Sequence, residues 1–199
     1  MKKNIFKSTI ALMATALLAS CGVTISDLEG EWADEMENGA TETWIFGHPS
    51  NTTTGPYSEK IEWVDEDTDE DGLEYSIGYT VTIDGKYTYD TEGLSIEYDM
   101  ESMKVEIDRG CCDEYALKNM EAVAEGKMEA FYPEGTTAQD LGDFFESSFN
   151  DRITEHWTKI YEDENEDFKT HAYKNLSIEE DVLIVKLSDG EKKLKKVVK

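Results

Sequence analysis

The sequence predicts a mainly β domain with a helical insert, an α+β chain in which an antiparallel meander is interrupted once by two helices. Three observations carry that expectation. Over residues 73–83, Tyr75, Ile77, Tyr79, Val81 and Ile83 share one parity and alternate with mostly polar residues, the period of a sheet with one buried face. Pairs such as Asp84-Gly85, Glu92-Gly93 and Asp189-Gly190 punctuate the apolar runs, as turns between neighbouring strands do. From about 112 to 165 the apolar period lengthens to three or four, which is the spacing of an amphipathic helix.

In chain order, residues 1–20 read as a segment removed on export. Lys2, Lys3 and Lys7 precede an apolar run over 10–18 that only Thr15 interrupts, with no acidic residue before Cys21. A span this short falls well below the roughly 20 apolar residues that a bilayer-crossing helix needs. A basic flank, a short apolar core and small residues form the pattern of a cleaved signal. Residues 21–29 read as a short tether with a helical turn at Ser26-Asp27-Leu28-Glu29, and residues 30–199 as one domain.

Strand-forming residues dominate 40–46, with Thr41, Thr43, Trp44, Ile45 and Phe46. Residues 48–56 read as a loop. Tyr57, Ile61 and Trp63 then share one face of the next strand, and an acidic loop leads into the 73–83 run. Asp84-Gly85 is expected to turn the chain as a two-residue hairpin, and Glu92-Gly93 to turn it again. Leu94, Ile96 and Tyr98 then mark one strand, and Val105 and Ile107 another. In the insert, Leu117, Met120, Ala124, Met128 and Phe131 give one apolar face. Pro133-Glu134-Gly135 breaks the helix, and Thr136 with Gln139 suits the start of a second. That second helix carries Leu141, Phe144, Phe145, Phe149, Ile153, Trp157 and Ile160. The acidic cluster at 162–167 reads as a solvated linker. Residues 168–176, 182–187 and 191–198 read as the closing strands, the last with lysines that guard an exposed edge.

Composition narrows the function. Without residues 1–20 the chain loses three lysines and no acid, so 16 basic stand against 45 acidic residues, a formal charge of −29. Such a field repels nucleic acid and anionic lipid headgroups, which makes both poor partners. Hydrophobic content of 39% with 11% aromatics sets the chain apart from a disordered acidic tail. Apart from Cys21 the only cysteines are the adjacent Cys111 and Cys112, whose spacing does not suit a relaxed disulfide, so no disulfide framework is expected.

Leu18-Ala19-Ser20-Cys21, followed by Gly22, resembles the bacterial lipobox. The resemblance implies acylation of Cys21 and attachment to the cell envelope. Gly22 lacks the aspartate that signals inner-membrane retention, so the outer membrane is the implied destination. Several acyl chains on one residue give the stable anchoring that a single chain does not. Leu28-Glu29-Gly30-Glu31-Trp32 resembles the Gly-x-Trp opening strand of lipocalin and calycin barrels. With the meander and the tether it is similar to the lipocalin-like lipoproteins of gut Bacteroidetes. That resemblance implies an antiparallel barrel holding a small apolar ligand, with Trp32 closing one end and Trp44, Tyr79, Val81 and Ile83 as wall residues. The helices would be an insertion into that plan.

Other chemistry is sparse. Asp67, Asp69, Asp71 and Gly72 match the first half of a calcium loop, which makes calcium the one candidate cofactor. Gly78 stands where the bidentate glutamate belongs, however, and the flanks read as strands. The plain alternative is a solvated acidic turn. His48, His156 and His171 lack metal-ligand spacing, and His156 beside Trp157 reads as a partly buried packing residue. No nucleophile elbow, phosphate loop or Cys-x-x-Cys occurs, so a binding protein is expected rather than an enzyme. Two partners stay open: a small apolar molecule inside the barrel, or a glycan or protein on a surface row of aromatics.

Overall fold

A computed structural model describes residues 22–36, 39–91, 93–170, 173, 175–187 and 190–198, with backbone alone over 164–170. Cys21, the export segment, Glu92, His171 and Asp189 lie outside the described residues. A four-residue turn α1 (Ile25–Leu28) opens the chain. Strands β1 (Gly30–Glu35), β2 (Thr41–Phe46), β3 (Thr54–Thr68), β4 (Glu74–Asp90) and β5 (Gly93–Ile107) follow, then helices α2 (Arg109–Ala124) and α3 (Ala138–Thr170). Strands β6 (Leu176–Glu179), β7 (Val182–Lys186) and β8 (Glu191–Lys196) complete the order. All eight strands join one antiparallel sheet in the order β5-β4-β3-β2-β1-β8-β7-β6. None of the described helices is long and apolar enough to cross a membrane.

The meander and the inserted helix pair stand as the sequence predicts, but the hairpins are fewer and longer. Asp84 and Gly85 do not turn the chain. They lie inside β4, where Gly85 pairs with Tyr57 on one side and Tyr98 on the other. The glycine serves close approach instead: a Cβ there would sit 2.5 Å from the Glu97 carbonyl oxygen. The register of β4 against β5 shifts between Thr82 and Asp84. At that bulge the Asp84 N–H donates to Ser102 Oγ at 2.8 Å, and the Ser102 hydroxyl donates to the Asp99 carbonyl. The two strands expected over 94–107 are therefore one bulged strand. Asp90 lies opposite Gly93, as the expected second turn requires.

One face of the sheet is buried. Trp32, Trp44, Phe46, Tyr57, Ile61, Ile77, Val81, Ile83, Tyr87, Leu94, Ile96, Leu183, Val185 and Leu194 are each at most 5% exposed; along most strands they alternate with more exposed polar residues, and in β7 with half-buried Val182 and Ile184. Helix α3 covers this inner face. Its Phe149 ring lies 5.6 Å from Tyr75 and its Tyr161 ring 4.9 Å from Tyr98. Leu141, Phe145, Phe149, Ile153, Trp157 and Tyr161 are buried at a strict spacing of four. Phe144, one residue off that row, is 57% exposed. The N-terminal cap of α3 falls one residue later than expected: Thr137 Oγ1 donates to Asp140 Oδ2 and accepts from the Asp140 N–H. The acidic stretch at 162–167 belongs to this helix rather than to a linker.

Helix α2 begins earlier than the sequence suggested, with Asp108 accepting from the Gly110 N–H at its cap. That start turns a different face inward, with Cys112, Tyr115, Ala116, Asn119 and Ala122 buried and Leu117 exposed. Gly126 (φ +70) ends the helix, as Lys127 N–H reaches back to the Ala122 carbonyl. Met128 and Phe131 thus lie beyond it. Arg109 pins the helices together by donating to Asp113, Asp143 and Glu146.

Residues 22–29 are not a loose tether. Val23 and Ile25 pack on the core, Leu28 is fully buried, and the Trp32 indole N–H donates to the Leu28 carbonyl at 2.7 Å. At the other terminus β8 pairs with both β1 and β7, so its lysines guard no edge. The edges are β5 and β6. Residues 168–170 continue α3, and Tyr173, just before β6, exchanges two backbone hydrogen bonds with Leu94 of β5 at 2.8 and 2.9 Å.

The close approach at Gly85 makes a specific prediction. Gly85→Val forces β4 and β5 apart at the bulge and should destabilise the domain by about 2–3 kcal/mol, the scale of overpacking at a closed site. Urea denaturation followed by tryptophan fluorescence reads this as a lower midpoint with an unchanged slope.

Candidate functional site

Two carboxylates occupy positions of the sheet that should be apolar. Glu42 shares the inward parity of Trp44 and Phe46 on β2, and Glu59 that of Tyr57 and Ile61 on β3. They are 6% and 4% exposed. The register sets Trp44 opposite Glu59 and Glu42 opposite Ile61, so the two acids are diagonal neighbours across one strand pair.

Glu59 gathers hydroxyls from three elements. Its Oε2 accepts from Tyr57 and Tyr98 at 2.8 Å each, and its Oε1 accepts from Tyr161 of α3 at 3.2 Å. Burial, followed by the nearby charge of Glu59, holds the Tyr57 hydroxyl well above its ordinary pKa, so it remains a donor. Glu42 accepts from the Trp44 indole N–H and from the Lys192 ammonium, each at 2.5 Å on Oε1. Lys192 also lies 5.0 Å from the centre of a Trp44 ring, a distance at which cation–π attraction adds to the pair. The rings of Trp44, Tyr57, Tyr98, Tyr161 and Tyr173 pack on one another beside the cluster, with neighbouring centroids 4.9–6.3 Å apart. The result is a buried hydrogen-bonding centre packed among aromatic rings.

The expected wall residues all face inward. Trp32 and Trp44 are register partners, and Val81 and Ile83 are fully buried. Tyr79 stands apart from them, with its ring 6.2 Å from Trp63. Burial raises its pKa, while the Trp157 indole acts in the opposite direction. That indole N–H is itself buried, and its geometry falls short of a hydrogen bond to any partner. A groove of about 770 Å³ runs beside Trp32, between Gly22 and Val23 on one side and strand β6 on the other.

The acidic turn is smaller than the sequence suggested, because residues 65–68 belong to β3. Asp69 Oδ1 accepts the N–H groups of Asp71 and Leu73, and its Oδ2 accepts the Tyr115 hydroxyl at 2.6 Å. Asp67 accepts from the Thr68 N–H and the Tyr75 hydroxyl. These carboxylates fasten the hairpin and α2. Among the described residues, no three His, Cys, Asp or Glu side chains are grouped to hold a metal ion.

The two described histidines, His48 and His156, are peripheral. His48 meets Glu29 at an exposed site, and His156 is exposed rather than packed inside, with its ring edge-on to Trp157. Both cysteines of the insert are free thiols, Cys111 partly exposed and Cys112 fully buried. Burial pushes the Cys112 thiol up to about 11.

The sequence reading missed Glu42, Glu59 and Lys192, although a signal for them exists. Each is a charged residue at the parity of its strand's apolar residues. No known protein family matches the chain, and neither a curated protein nor a solved structure resembles it closely enough to count as a match.

Two predictions follow from burial. Lys192→Met leaves Glu42 buried without its ammonium and should cost about 3–5 kcal/mol, whereas Glu42→Leu combined with Lys192→Met should recover most of that loss; a double-mutant denaturation cycle checks both values. Alkylation at pH 8 should modify Cys111 while Cys112, a protonated buried thiol, reacts only after denaturant is added, as peptide mass spectrometry would show.

Proposed function

We propose that this chain is a bacterial lipoprotein, tethered through acylated Cys21 to the extracytoplasmic face of the envelope, with the outer membrane as its destination. In this reading its sheet curls into a lipocalin-like barrel that binds a small molecule, without catalysing a reaction. The observation that carries the proposal is the Glu59 centre, where tyrosines from β3, β5 and α3 converge on one buried carboxylate. A core built for stability alone gains little from buried ionised groups. The Leu94–Tyr173 bridge supports closure, because it joins one sheet edge to the segment that leads into the other. The ligand in this reading is mostly apolar and bears one hydrogen-bonding group that reaches the Glu59 and tyrosine hydroxyl network.

A second reading has one observation of its own. Phe131 and Phe144 are 53% and 57% exposed, and both rings approach Phe145. Such a patch suits a surface partner, a glycan or a protein.

Native mass spectrometry of the protein purified from its own host, with and without a calcium chelator, separates these readings. An organic adduct retained by the wild type and lost from Tyr98→Phe supports the interior site. A chelator-sensitive calcium adduct would assign a role to the turn carrying Asp67, Asp69 and Asp71. A bare protein mass under both conditions sinks the carrier reading and leaves the surface patch.

A further inference from the structure

We propose that the domain rests directly on the bilayer, with the end of the sheet that carries α1 and the close of β8 as its lipid-facing surface. This rests on the reading of Cys21 as the acylated residue, and it deepens that reading by naming which surface meets the membrane.

Chain reach sets the distance between the anchor and the domain. Gly22 is already part of the folded surface, lining the groove together with Val23, Trp32 and Lys196. From there the chain is held closely. Thr24 donates from N–H and hydroxyl to Asp27 Oδ2 at 2.8 and 2.7 Å, and the Asp27 N–H returns a bond to the Thr24 carbonyl. Leu28 is fully buried and accepts from the Trp32 indole. One residue spans at most about 3.6 Å, so Cys21 stands only two residues, at most about 7 Å, from Val23, the first residue packed on the core. A flexible linker would let the domain stand off and tumble, and no such length separates this anchor from the fold.

The surface beside the anchor has matching chemistry. Val197 and Val198 continue β8 and are 40% and 84% exposed, and the Val197 N–H donates to the Glu31 carbonyl, which holds them next to the start of β1. Lys195 and Lys196 precede them and are exposed. Exposed aliphatic side chains beside lysines, whose stems lie along apolar surface while the ammonium stays wet, suit the headgroup layer. Asp27, Glu179 and Glu180 line the same groove, so this end carries no net basic patch. The contact is imposed by chain geometry, so the acyl anchor should hold it even against the repulsion between the acidic chain and anionic lipid.

The test uses the full acylated protein in vesicles of phosphatidylethanolamine, with or without added phosphatidylglycerol. A trace lipid carries a photoreactive headgroup, and crosslinked peptides are mapped by mass spectrometry. Crosslinks should concentrate on residues 22–31 and 195–198 in both compositions, and be sparse on the turn at 69–72 at the far end of the β3–β4 hairpin. A flexible Gly-Ser insert of about ten residues after Gly22 should cut the 195–198 crosslinks several-fold while the protein still floats with the vesicles. Acylated, vesicle-bound protein with crosslinks spread evenly, or with a pattern the insert leaves unchanged, overturns the orientation alone. A chain that lacks acyl mass and fails to float overturns the orientation together with the lipoprotein reading.

Discussion

Burying a carboxylate is costly unless hydrogen bonds or an opposite charge replace the water it loses, and the interior of this domain is organised around meeting that demand twice. Glu59 meets it with tyrosine hydroxyls drawn from two strands and a helix. Glu42 meets it with Lys192, delivered by the last strand. Each solution ties together segments far apart in the chain. The first fixes α3 across the inner face, and the second fixes β8 beside the opening strands. Apolar contacts are larger in total, but they are less particular about partners. The position of one hydroxyl or one ammonium admits little slippage.

The same reasoning separates what the sequence made legible from what it did not. Period alone revealed the meander and the inserted helices, because Tyr75 through Ile83 alternate without exception and the Phe-rich run from Leu141 keeps a helical spacing. The Asp84-Gly85 pair misled for a physical reason. A glycine that relieves a close backbone approach looks, in sequence, like a glycine that makes a turn. Only the crowding against Glu97 distinguishes them. The α2 face is hard to read because, Tyr115 apart, its buried residues are small or polar, Cys112, Ala116, Asn119 and Ala122, whereas the large apolar Leu117 is exposed.

The buried polar cluster is less legible. The lipocalin resemblance implies inward positions for Trp32 and Trp44, which are register partners on the buried face. Glu42 and Glu59 passed unnoticed because acids are abundant here, and among 45 of them two at apolar parity do not stand out by type. Lys192 was assigned to an outward edge because the neighbour of β8 was unknown. Pairing between the chain's ends is a long-range fact that local pattern does not carry. At the calcium-like turn the partners of Asp69 are equally illegible from spacing: its oxygens accept from the backbone of its own turn and from Tyr115.

The pairing of β1 with β8, in which Trp32 lies opposite Lys196, has a consequence for the order in which the fold assembles. These partners are separated by 164 positions, so their contact carries a large loop-closure entropy and ranks among the slowest to form. The five-strand meander can zip up from near neighbours, but until β8 arrives β1 remains an unpaired edge and Glu42 has no ammonium beside it. A chain interrupted before its final strand is therefore a distinct species, with an open backbone ladder and a buried charge lacking its partner. Such an intermediate is prone to pair with a second chain, and the last strand is what removes that hazard.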